Sequence, residues 1–181
     1  MDSNIALLRG INVGGKNRVE MPRLKAIFEA LGYNPVATYI NSGNVIFGGT
    51  TDAEQPVTEI EQAIEDEFGL SVRVLLRTKH QVDAVLSAVP RTWVHDKTTR
   101  SEVLFLWDEV DRPDIVDEIP VREGIDRVLY APGAVLWNVD RSDLGRSRMS
   151  RLVGSKIYKM MTMRNINTTR KLAGLMHQLT E

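Results

Sequence analysis

Apolar and polar residues alternate in blocks that predict a fixed order of short strands and helices. An apolar run at residues 4–8 predicts a buried strand, and apolar positions at helical spacing between Pro22 and Gly32 predict a helix. Strand-like runs at 36–40 and 45–47 flank a turn cluster at 41–44, which predicts a hairpin. A helix at 57–68 and a strand at 72–76 complete the order β-α-β-β-α-β.

A second set of elements follows a connecting helix at 79–89 and a polar linker at 91–100. The predicted elements are a strand at 103–107, a short helix at 113–119, a hairpin at 128–139, a helix at 150–161, a strand at 163–166 and a C-terminal helix carrying Leu172 to Leu179. The two hairpins align at an offset of 90, residues 39–47 over residues 129–137. This duplication predicts an α+β protein.

The predicted architecture is two tandem ferredoxin-like (βαββαβ) halves forming one compact protein with a C-terminal helix. The expected division is a first half at 1–78, a connecting helix and linker at 79–100, and a second half with the C-terminal helix at 101–181. With 181 residues and 43% hydrophobic content, the chain is long enough to bury a core.

The amino-acid composition excludes several kinds of functional site. The chain has no cysteine, which excludes disulfides, thiolate catalysis and cysteine-ligated zinc. Its start lacks the basic and apolar segments of a signal peptide, so we expect a cytoplasmic protein with no membrane partner. The three histidines show no metal-ligand spacing, and acids such as Asp108 and Asp111 fit the start of a helix, so we predict no metal and no cofactor.

Charge is balanced overall but not along the chain. The net charge is -1, yet residues 102–126 hold nine acids against two bases, and residues 141–171 hold nine bases against Asp143 alone. The basic block is either a set of solvated helix faces or part of an anion site. Its candidate ligand-binding residues are Lys156, Lys159, Arg164, Asn165 and Lys171, with a helix cap expected at Asn167 or Thr168.

The predicted topology brings two polar segments to one end of the first sheet. In a split β-α-β arrangement the loop at 9–20 and the turn at 41–44 are neighbours. The candidate ligand-binding residues there are Arg9, Asn12, Gly14, Gly15, Lys16, Asn41, Ser42, Gly43 and Asn44. The second hairpin has Ala131 and Ala134 in place of Asn41 and Asn44, so the shared fold does not require those asparagines. The alternative is that the asparagines only cap local backbone.

Residues 10–16 also match the G-x-x-x-x-G-K spacing of a phosphate-binding P-loop. Asn17 stands where a P-loop has Ser or Thr, and Pro22 marks a helix start several residues later. We therefore predict an anion-binding glycine loop of a different geometry rather than a P-loop.

Three ordered motifs carry a family resemblance: residues 7–17 (LLRGINVGGKN), residues 39–45 (YINSGNV) and residues 162–168 (TMRNINT). Read together, they make the chain resemble the domain-of-unknown-function family numbered 1697. The resemblance covers nearly the whole chain and implies a bacterial-type α+β protein of two related halves. It implies no activity.

The sequence thus predicts that the first half binds a small anionic ligand, a nucleotide or a phosphorylated metabolite, at its loop edge. Lys16 and Arg9 would neutralise charge, and Asn12, Asn41 and Asn44 would orient polar atoms. The alternative is an RNA or single-stranded nucleic-acid binding module. Whether the protein is an enzyme, and which oligomeric state it adopts, stay open.

Overall fold

The structure, a computed structural model, describes residues 3–49 and 55–179. These residues form two compact units. One comprises the described parts of Met1–Lys79 and Leu172–Glu181, and the other comprises His80–Lys171. We expected the C-terminal helix to lie with the second half, whereas the compact units group its last residues with the first. Within the first unit the Ser3 hydroxyl donates to the Met176 carbonyl at 3.0 Å.

The first unit contains the predicted order β-α-β-β-α-β. Its elements are β1 (Ser3–Leu8), α1 (Met21–Ala30), β2 (Val36–Thr38), β3 (Asn44–Gly48), α2 (Pro56–Phe68) and β4 (Val74–Thr78). The four strands form one sheet in the order β2-β3-β1-β4, with every neighbouring pair antiparallel. β1 is therefore central, and the segments that leave its carboxyl end lie beside the β2–β3 turn.

Local sequence explains where these elements begin and end. Pro22 occupies the first turn of α1 and Pro56 that of α2, where a missing N–H costs nothing. Gly69 ends α2 in the left-handed conformation with φ of 64°. One face of the sheet packs on the helices in a core whose centre is aromatic, since the rings of Tyr33 and Phe47 lie 4.5 Å apart.

The remaining elements include α3 (Lys79–Ser87) and a second four-stranded sheet. Its strands are β5 (Thr99–Leu106), β6 (Arg127–Ala131), β7 (Ala134–Asp140) and β8 (Met161–Asn165), and α4 (Ile166–Leu179) follows. The sheet order is β6-β7-β5-β8, again with antiparallel neighbours. Ile5 pairs with Ile46 in the first sheet and Val103 with Leu136 in the second, which keeps the offset of 90 between the hairpins.

The predicted helix at 150–161 is wrong. Residues 141–160 form turns and 3-10 segments at Arg141–Asp143, Met149–Arg151 and Ile157–Met160. Serine side chains compete for the backbone here, because Ser155 Oγ donates to the Leu152 carbonyl at 2.7 Å and accepts from the Tyr158 N–H at 3.3 Å. The short helix predicted at 113–119 is likewise a 3-10 segment, Pro113–Glu118.

Candidate functional site

The loop between β1 and α1 has an unusual backbone. Gly10, Asn12, Gly14, Gly15 and Asn17 all have positive φ, between 51° and 75°. Glycine adopts this conformation without strain, and asparagine tolerates it better than most residues. The chain therefore curls repeatedly before α1 begins at Met21, which separates it from the P-loop geometry, as predicted.

The Asn12 side chain clamps this loop to the β2–β3 turn. Its Nδ2 donates to the Val19 carbonyl at 2.9 Å and to the Asn41 carbonyl at 2.8 Å. Its Oδ1 accepts from the Val19 N–H at 2.9 Å. The predicted proximity of the two segments is confirmed, and because both amide N–H groups are used, Asn12 positions the loop rather than offering donors to a ligand.

Gly43 and Asn44 hold the turn itself. The Gly43 carbonyl accepts from the Leu8 N–H at 2.8 Å, and a Cβ placed on Gly43 would lie 2.7 Å from Leu8 Cβ. Asn44 is fully buried, and its Nδ2 donates to the Tyr39 carbonyl at 3.0 Å and to Ser42 Oγ at 2.9 Å. The backbone-capping interpretation, made for Asn41 and Asn44, thus describes the contacts of the Asn44 side chain.

An open cleft of about 510 Å³ lies against this loop. Among the predicted site residues, Asn12, Gly15, Lys16 and Asn41 line it. The rest of the lining is formed by Arg18, Val19, Glu20, Met21 and Pro22. The sequence indicates Arg18 as a polar residue of the loop at 9–20, but the contribution of the next four residues was not predicted.

Two cations in the cleft have no acidic partner among residues 3–49 and 55–179. Lys16 and Arg18 are exposed, and neither side chain forms an ion pair or hydrogen bond with the part of the chain that the structure describes. The one acid of the cleft, Glu20, lies 3.6 Å from Arg23, which also pairs with Glu67 at 2.6 Å. No side chain in the described part of the protein caps the start of α1, so the helix adds a partial positive charge to the cleft at Met21 and Pro22.

The other predicted residues of the first unit have different surroundings. Gly14 is exposed at the tip of the loop, where the Lys16 N–H donates to the Val13 carbonyl at 3.0 Å. Arg9 is half-buried, and its N–H donates to the Arg73 carbonyl at 3.0 Å. The Ser42 hydroxyl is an acceptor for Asn44, as described above.

The predicted residues of the basic C-terminal stretch lie in the second unit. Lys156, Lys159 and Lys171 are exposed, whereas Arg164 on β8 is only 7% exposed. Arg164 Nη1 donates to Thr162 Oγ1 at 3.0 Å and to the Met163 carbonyl at 2.8 Å. Burial lowers the pKa of Arg164 to about 10.

The Asn165 side chain stabilises the start of α4. Its Oδ1 accepts from the Thr168 N–H at 2.8 Å, so Asn165 caps α4. The cap predicted at Asn167 or Thr168 is therefore displaced to Asn165. Asn167 instead donates from Nδ2 to the His95 carbonyl at 2.7 Å.

Residues 3–49 and 55–179 contain neither a candidate metal site nor a candidate membrane-spanning helix. No three histidine or carboxylate side chains there are grouped so that they could hold a metal ion. Within the same residues, no helix combines the length and the apolar character needed to cross a bilayer.

Comparison with known proteins identifies the family. A sequence model described as "Protein of unknown function (DUF1697)" matches residues 1–137. No curated protein matches the sequence. A solved structure of the conserved bacterial protein SP0830 from Streptococcus pneumoniae is similar, with a TM-score of 0.83 and 25% identity over 97% of this chain and 98% of that chain. The chain belongs to the DUF1697 family.

Proposed function

We propose that the first unit binds a small phosphorylated molecule, a nucleotide or a sugar phosphate, in the cleft beside the β1–α1 loop. The observation that carries this proposal is the pair Lys16 and Arg18, two exposed cations without an acidic partner among the described residues. An anion bound in the cleft would be attracted by both charges.

The loop can also donate hydrogen bonds to the oxygens of a phosphate group. Arg18 can donate a pair of parallel hydrogen bonds, and Lys16 contributes a compact ammonium group. Gly15 lines the cleft without a side chain, so an anion can approach the backbone there. The Asn12 clamp fixes this surface before a ligand arrives, which lowers the entropy lost on binding.

The size of the cleft favours more than an inorganic ion. At about 510 Å³ it lies within the range of roughly 300–1,000 Å³ that holds organic ligands. Val19, Met21 and Pro22 supply an apolar wall on which a sugar or base can pack. The proposal concerns binding and assigns no reaction.

Single-stranded RNA is the less favoured ligand. RNA-binding sheets expose aromatic side chains on which bases stack. β1 and β3 are buried along their whole length, so these two strands offer no such surface.

We further infer that each half is a ferredoxin-like unit and that the halves are copies of one ancestral unit. The shared sheet order supports this inference. A matching backbone hydrogen bond supports it as well: Leu8 N–H donates to the Gly43 carbonyl at 2.8 Å, and Leu106 N–H donates to the Gly133 carbonyl at 2.9 Å.

Thermal unfolding in the presence of nucleoside monophosphates, nucleoside triphosphates and sugar phosphates tests the binding proposal. A ligand at one hundred times its Kd should stabilise the protein by about 2.7 kcal/mol. The double variant Lys16→Ala/Arg18→Ala should lose that stabilisation. The matched control Arg91→Ala/Lys97→Ala, which removes two exposed cations elsewhere, should keep it. Equal loss in both variants, or no stabilisation by any compound, would contradict the proposal.

A further inference from the structure

The second unit contains a cleft of about 300 Å³ at one end of its sheet. β5 places Arg100 and Glu102 on the face whose other residues, Leu104 and Leu106, pack in the core. Trp137 on β7 lies opposite Glu102 in the strand register. The core of this unit therefore ends in an arginine, a glutamate and an indole ring rather than in aliphatic side chains.

The cleft wall away from the sheet is mainly apolar, with the hydroxyl groups of Ser147 and Ser150 between the apolar side chains. The segment 141–160, which forms turns instead of the predicted helix, contributes Leu144, Met149 and Val153. Val153 is 60% exposed, and Met163 on β8 adds a flexible thioether. Trp137 and Met149 are only 2% and 5% exposed, so they form the floor of a slot whose exposed edge is Val153.

The Arg100 guanidinium is fixed at the mouth of this slot. Its Nε donates to Glu102 Oε1 at 2.8 Å, and its central carbon lies 5.2 Å from the centre of the Trp137 ring. Neither terminal nitrogen of Arg100 donates to another of the described residues. An arginine held by Nε and stacked on an aromatic ring presents its terminal N–H groups in the geometry that suits a carboxylate.

Charges of both signs surround the slot. Residues 144–160 contain five cations and no acid. Arg148 and Arg151 are exposed and form no ion pair with the described residues. Three carboxylates adjoin the same residues: Glu102 pairs with Arg100, Asp143 pairs with Arg146, and Asp126 accepts from Ser147 Oγ and Trp137 Nε1. The charge that recognises an anion is therefore carried by the terminal nitrogens of Arg100, with Arg148 and Arg151 nearby in sequence.

We propose that this cleft binds a small carboxylate with an apolar body. The carboxylate pairs with the terminal nitrogens of Arg100, and the apolar body lies in the slot against Trp137, Met149 and Met163. The class of ligand follows from the single fixed guanidinium and the apolar wall. The site is separate from the one proposed in the first unit and does not depend on it.

Titration of the full chain with phenylacetate, followed by the indole N–H resonances, tests this proposal. The Trp137 resonance is assigned as the one lost in Trp137→Phe. Phenylacetate should shift the Trp137 resonance, and phenylacetamide, which has the same shape without the charge, should bind at least tenfold more weakly. Equal binding of the two compounds, or no shift of the Trp137 resonance, would overturn the proposal.

Two variants separate binding from folding. Arg100→Met/Glu102→Gln removes the guanidinium without leaving Glu102 charged and buried, and should weaken phenylacetate binding at least tenfold. Ser150→Trp fills the slot with Arg100 intact and should also weaken binding at least tenfold. The control Arg91→Met should bind phenylacetate as the unchanged chain does. Retained affinity in both slot variants, or an equal loss in the control, would overturn the proposal.

Discussion

Gly43 shows how tightly a single position can be constrained in this protein. Its φ of 77° favours glycine, and its Cα lies so close to β1 that a methyl group would meet Leu8 Cβ at 2.7 Å. We expect Gly43→Ala to lower the free energy of unfolding by about 2–4 kcal/mol, because backbone strain and overpacking add. Urea denaturation measures the change.

Gly124→Ala is the matched control for Gly43. Gly124 has a φ of 75°, but nothing lies within 4 Å of the added Cβ. Only the backbone strain of about 1–2 kcal/mol should remain. Equal losses in the two variants would mean that the close approach to Leu8 contributes nothing.

Asn12 and Asn41 provide a second matched pair at residue scale. Asn12→Asp replaces two donors with a carboxylate oxygen that faces the Val19 and Asn41 carbonyls. We expect this change to cost about 1–3 kcal/mol of unfolding free energy. Asn41→Asp adds the same charge at an exposed side chain, and we expect a change within about 0.5 kcal/mol. If urea denaturation shows similar losses of unfolding free energy for the two variants, the Asn12 side-chain hydrogen bonds do not stabilise the loop.

Asp126 is the residue that ties the turns of the second unit together. Its carboxylate accepts hydrogen bonds from Ser147 Oγ at 2.5 Å, the Arg122 N–H at 2.8 Å and Trp137 Nε1 at 3.0 Å. Burial alone would raise the pKa of Asp126, but these donors outweigh it and hold the pKa below its ordinary value. Because the pKa is lower in the folded state than in the unfolded state, the stabilisation is present at neutral pH and is lost as pH falls through the folded pKa.

We therefore expect Asp126→Asn to be less stable than the unchanged protein at pH 7 and the difference to shrink below about pH 4. Urea midpoints at several pH values measure this difference. The control Asp117→Asn removes an exposed carboxylate that forms no hydrogen bond or ion pair with the described residues, and its midpoint should follow the unchanged protein throughout. If the difference in urea midpoint between Asp126→Asn and the unchanged protein stays constant with pH, the charged form of Asp126 is not the source of the stabilisation.

At the scale of elements, the sequence predicts strands and hairpins better than it predicts the second half's helices. The hairpins depend on local turn residues and on apolar runs, both of which are visible in the sequence. The helix expected at 150–161 fails because Ser155 bonds its own backbone neighbours. The periodicity of apolar residues does not show whether a serine side chain will replace the backbone hydrogen bonds of a helix.

The candidate site was predictable only in part, for a similar reason. Topology alone brings the β1–α1 loop to the β2–β3 turn, and the Asn12–Asn41 hydrogen bond confirms it. The wall containing Arg18 and Met21 depends on the path of the chain between Lys16 and α1. Asn17, at the start of that path, has a φ of 51° although it is not a glycine, and the sequence gives no signal for this backbone conformation.

At the scale of the whole molecule, residues far apart in sequence complete the first unit. The Met176 side chain is fully buried, and its carbonyl accepts from Ser3 on β1. We expect Met176→Ala to cost about 2–5 kcal/mol of unfolding free energy, since it leaves a cavity. Hydrogen exchange of the β1 amides should accelerate with it. The exposed neighbour Gln178→Ala should change neither quantity, and equal effects would argue against this role for Met176.

The β1–α1 loop has an anchored base and an independent tip. Asn12 closes the base, and the Val13–Lys16 backbone pair closes the tip, where Val13 is 66% exposed. If the proposed function is right, substitutions at exposed positions 13 and 16 should change ligand preference while the stability of strand β1 and its core stays the same. The tip of the loop would then be the part of the protein in which ligand specificity can diverge without a loss of folding stability.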